Sequence, residues 1–134
     1  MKHLKRRKIF KDSLQDTLKK IIADIPEAKA AQLTTDTGQP LASILPSDAD
    51  DMRFAAMTAA LCSLSERAIN EFNLGNFDQL YVKSTEGYIL ILHAGEDQVL
   101  TVSTKKDIRL APILMKRYDY FDDDDKLISN TAHT

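Results

Sequence analysis

Apolar residues first recur at helical spacing: Leu14, Leu18, Ile21, Ile22 and Ile25 fall three or four apart, and Pro26 ends the run. The pattern predicts a helix, α1, capped by Asp12 or Ser13. Two apolar segments follow, Ala30 to Thr35 (β1) and Leu41 to Leu45 (β2), on either side of Asp36-Thr37-Gly38-Gln39, where glycine supplies a positive φ. They predict a hairpin. Beyond Pro46, a long periodic run from a cap at Ser47 or Asp48 to Phe72, stopped near Gly75, predicts α2. Three strand-like runs come next, Phe77 to Ser84 (β3), Tyr88 to Ala94 (β4) and Gln98 to Thr104 (β5), with turns at Glu86-Gly87 and Gly95-Glu96-Asp97. A last helix, α3, gathers Leu110, Ile113, Leu114 and Arg117, and Pro112 makes it begin near Arg109 or kink there.

Strand β4 is apolar at consecutive positions, so it is expected to be central and covered on both faces. With three helices at hand, the economical arrangement is α+β: a five-stranded antiparallel sheet with α2 on one face and α1 with α3 on the other, an α/β/α sandwich. On a helical wheel, Phe54, Met57, Leu61, Leu64, Ala68 and Phe72 form one stripe of α2, expected to be its core face. The other side carries Met52, Ala56, Ala59, Ala60 and Ser63, with Glu66 and Arg67 lower down. Alanine is a good surface helix former, which explains the small residues without function. The preferred reading is a partner surface, because the flank of Ala55, Thr58, Cys62 and Ile69 would otherwise leave apolar area wet.

A chain of 134 residues suits one domain, and 43% hydrophobic with 28% charged residues is ordinary for a soluble one. No apolar run approaches the roughly 18–20 residues of a membrane helix, and no apolar stretch follows the basic N-terminus, so a cytoplasmic location is expected. The lone Cys62 reads as a buried small hydrophobe in a reducing compartment. A net charge of −2 gives no global field for nucleic acid, and none is expected as a partner. Charge is polarised locally: residues 1–11 form a basic arm (Lys2, Lys5, Arg6, Arg7, Lys8, Lys11), residues 12–117 the domain, and residues 118–134 an acidic tail with Asp122 to Asp125. The arm reads as a solubilising extension, with contact to acidic lipid as the lesser alternative.

Catalytic chemistry is not legible. The four glycines sit at element boundaries, leaving none for a phosphate cradle, so no nucleotide or other cofactor is expected. His3, His93 and His133 have no partners at metal-ligand spacing. No nucleophile elbow or Cys-His pairing is present, so the chain is expected not to be an enzyme.

Three blocks resemble the roadblock-type proteins related to dynein light chains, and their prokaryotic members in particular. They are IIADIPEAKAAQLTTDTGQPLAS (Ile21 to Ser43), RFAAMTAALCSLSERAINEFNLGNFDQLYVKSTEGYILI (Arg53 to Ile91) and AGEDQVLTV (Ala94 to Val102). The resemblance implies a roadblock/profilin-like fold and a homodimer in which α2 helices lie side by side and β3 edges pair. It also implies a scaffold or regulator of a small Ras-like GTPase bound across the paired helices, with another roadblock protein as a possible partner. On these grounds the expected dimer and partner residues are Met52, Ala55, Ala56, Thr58, Ala59, Ala60, Cys62, Ser63 and Arg67 on α2, with Gln79 and Tyr81 on β3. Two other classes remain beside this one: a small-molecule sensory module holding its ligand under α2, and a membrane-associated adaptor using the basic arm.

Overall fold

The computed structural model describes residues 2–109, 111 and 113–115, with side-chain surroundings from residue 13 onward. The expected acidic tail and the start and kink of α3 lie outside these residues, as do the side chains of the basic arm. The elements run α1 (Lys2–Asp24), β1 (Ala28–Thr35), β2 (Pro40–Ile44), α2 (Asp51–Glu71), β3 (Gln79–Lys83), β4 (Gly87–His93) and β5 (Gln98–Lys105). Residues 113–115 add a further helical segment.

All five strands pair antiparallel in the order β2-β1-β5-β4-β3. β4 therefore lies one strand in from the edge and β5 takes the centre. The α1 face carries the larger core, where Leu14, Leu18, Ile21 and Ile25 pack on Leu33, Leu90, Leu92, Leu100 and Val102, joined by Ile113. Leu18, Leu33, Leu90 and Leu92 are fully buried, each contributing about 1.5–3 kcal/mol. This is the stripe that periodicity identified. On the α2 face, Cys62 packs with Phe77, Ile91 and Val99.

Most strand boundaries fall within two residues of expectation, and three differences are larger or have a clear physical reason. Helix α1 begins at Lys2, so the segment read as an arm continues the helix; its residues are good helix formers, but no apolar stripe announced them. Helix α2 is capped by Asp50, whose carboxylate accepts from the Met52 and Arg53 amides at 3.1 and 3.3 Å, rather than by Ser47 or Asp48. Phe77 precedes β3 and fills the α2-side core instead. Gly38 at φ +94° and Gly75 at φ +89° are among the glycines that take the positive φ their positions require.

The α2 N-terminus is tied to the sheet by one buried amide. Gln32 Nε2 donates to the Asp51 carbonyl at 2.8 Å and to Ser43 Oγ at 3.1 Å, joining β1, β2 and the first turn of α2. At the middle of the helix, the Thr58 and Thr101 hydroxyls lie 3.3 Å apart.

Candidate functional site

Helix α2 meets the sheet through its small side chains. Ala55 is wholly buried, and Thr58 and Cys62 nearly so, because a helix lying close on a sheet leaves no space for bulk along its contact line. These three belong to the core of the chain itself. Their assignment to the partner surface is corrected. Burial pushes the Cys62 thiol pKa up, and the neighbouring Glu66 carboxylate adds to the shift. A disulfide reagent should therefore react with Cys62 slowly in the native protein at neutral pH and fast after unfolding. Equal rates would mean that this face is open.

Ala59 is half-buried for a similar reason. A Cβ built on Gly38 would stand 3.0 Å from the Ala59 Cβ, so the small side chain makes room for the β1–β2 turn of the same chain. Met52, Ala56, Ala60, Ser63 and Arg67 are exposed, as expected of a surface.

The bulky stripe expected to be core is instead largely wet. Phe54, Met57 (46% exposed), Leu64 (62%) and Phe72 stand open to solvent, and Leu74 extends the row beyond the helix end. The physical reason is geometric: the contact line passes through Ala55, Thr58 and Cys62, which turns this stripe to one flank. Below that flank the sheet is incompletely covered. Phe54, Met57 and Leu61 form one wall of a groove of about 370 Å³ whose floor includes Ile89, Ile91, Gln32 and Thr101.

Strand β3 continues the apolar surface. It lies at one edge of the sheet, paired only with β4. Leu80 and Val82 stand opposite Ile91 and Ile89 and so share the α2 face, where Val82 and Ile89 are exposed. Gln79 and Tyr81 stand opposite Leu92 and Leu90, which pack under α1, so they point to the other face. They belong to the β3 edge but not to the apolar patch beside α2. The exposed apolar residues that the sequence reading did not place on a surface are thus Phe54, Met57, Leu64, Phe72, Val82 and Ile89. The four on α2 were legible as the bulky stripe itself, which was attributed to the core.

Elsewhere, the His93 and Phe77 rings pack at 5.6 Å in a tilted arrangement beside the C-terminal part of α2. Among the described residues no helix is long and apolar enough to cross a membrane, and no group of His, Cys, Asp or Glu is placed to hold a metal ion.

A model of the Roadblock/LC7 domain family matches residues 14–104. Several solved structures share the fold. A Roadblock/LC7 domain from Streptomyces avermitilis is 19% identical, with a TM-score of 0.73 over 90% of this chain and 98% of its own. Myxococcus xanthus MglB is 16% identical, with a TM-score of 0.74 over 87% of this chain and 94% of its own. The gliding protein MglB of Thermus thermophilus is 14% identical, with a TM-score of 0.71 over 83% and 84% of the two chains. No curated protein is significantly similar in sequence.

Proposed function

Because the chain belongs to the Roadblock/LC7 domain family, we propose that it is a non-enzymatic homodimer that serves as scaffold or regulator of a small Ras-like GTPase. The observation that carries this reading is the set of exposed apolar side chains on one flank of α2 (Phe54, Met57, Leu64 and Phe72) and on the α2 face of the β3–β4 edge (Val82 and Ile89). A lone domain gains nothing by leaving bulky side chains wet beside an outer strand of its sheet, and a second copy removes both liabilities at once. In that dimer the α2 helices lie side by side and the exposed Met52, Ala56, Ala60, Ser63 and Arg67 remain outside the sheet contact, available to the GTPase.

A small-molecule sensor is the second reading, favoured by the apolar groove beside α2. The groove offers little to orient a ligand, because the Gln32 amide and the Thr58 and Thr101 hydroxyls already bond within the chain.

The test is affinity isolation with the tagged protein from lysate of its source organism, supplied either with GDP or with a non-hydrolysable GTP analogue. A small GTPase is expected to co-purify under one nucleotide and not the other. Isolation of no GTPase under either condition would overturn the proposal.

A further inference from the structure

The five-stranded sheet has two outer strands, β2 and β3, and an open strand edge will pair with any compatible strand it meets. The two edges are not equivalent. In the register of β1 and β2, Gln32 stands opposite Ser43. The Ser43 amide turns away from β1 and donates to Gln15 Oε1 at 3.2 Å, while Gln15 Nε2 donates to the Ser43 carbonyl at 3.0 Å. The carboxamide thus closes the same pair of bonds that a residue of a neighbouring strand would make. Gln15 is held there by its helix, for Leu14 and Leu18 on either side of it are buried in the core. Pro40 opens β2 and Pro46 follows two residues after its end, and neither has an amide to offer a neighbouring strand.

We propose that Gln15 closes the β2 edge and thereby confines strand pairing with a second copy of this chain to β3. The inference rests on the homodimer reading for the use of β3, but the closure of β2 stands on its own geometry. A domain with one usable edge stops at two copies. With both edges usable, each added copy exposes a fresh edge and assembly continues.

Two measurements test this. In wild-type protein, hydrogen exchange at the Ser43 amide should be slowed well below that of a solvent-facing edge amide, and exchange at the rate of an unprotected amide would overturn the proposal. Light scattering over rising protein concentration then compares wild type with Gln15→Ala and Gln15→Lys. Gln15→Ala should show a weight-average mass about twofold or more above wild type at the highest concentration. Gln15→Lys should keep the wild-type mass, because a charge at the edge discourages pairing without restoring the amide bonds. Equal mass for all three proteins, or equal growth of both variants, would overturn the proposal, the latter because it marks general loss of stability. The reading is relative to wild type, so a monomeric wild type would sink the dimer while leaving the Gln15→Ala increase measurable.

Discussion

Met57→Glu is expected to abolish self-association and, with it, binding of the GTPase. Met57 lines the groove beside α2 and is 46% exposed in the single chain, so a glutamate there is hydrated and tolerated by the isolated fold. In the dimer the same carboxylate would be trapped among Phe54, Leu61 and Ile89, while the one cation lining the groove among the described residues, Lys29, stands exposed on β1. An unpaired charge taken out of water costs several kcal/mol, which corresponds to a loss of about 10²-fold or more in association constant. Sedimentation equilibrium measures the loss, and the circular dichroism spectrum should remain that of the folded chain. Ala59→Glu is a poorer probe, because Ala59 packs against the β1–β2 turn and a glutamate would disturb the fold itself. A Met57→Glu protein that associates like wild type would show that this flank of α2 is not an interface.

Gly87→Ala should be the most damaging conservative change in the sheet. A Cβ at Gly87 would run into the backbone carbonyl oxygen of Thr104 on the adjacent strand, far inside van der Waals contact, with no flexible side chain to yield. Strand β4 starts at this residue, opposite Lys105, so relief requires β4 and β5 to separate or slip. The expected cost is about 3 kcal/mol or more, seen as a fall in Tm of about 10 °C or more by thermal unfolding. Gly75→Ala is the control. Gly75 has φ +89° and open space around it, so the methyl group meets only backbone strain, about 1 kcal/mol. Equal losses for the two variants would contradict the close-approach argument.

The contrast between these two glycines shows what a single sequence can and cannot announce. Gly38 and Gly75 were legible because turns and helix ends need positive φ, a local requirement. Gly87 reads equally well as a turn glycine, and only the cross-strand neighbour Thr104 reveals that it serves close approach. The α1 stripe of Leu14, Leu18, Ile21 and Ile25 was legible because one helix face meets one sheet face. In α2 the same logic misled. Its bulkiest stripe was expected beneath the helix, whereas the sheet receives Ala55, Thr58 and Cys62. Periodicity reports that a stripe is apolar, not which surface covers it. The resemblance to roadblock proteins pointed to α2 and β3, but it could not say which faces of each are exposed, a choice fixed by helix rotation on the sheet and by β3 register.

The central claim is that the apolar flank of α2 and the β3 edge are covered by a second copy of this chain. Light scattering coupled to size exclusion tests it most directly. At micromolar concentration, wild-type protein should elute with twice the 15.1 kDa mass of the chain, and Met57→Glu should elute with the mass of one. Wild-type protein that remains at the single-chain mass at this concentration would contradict the account.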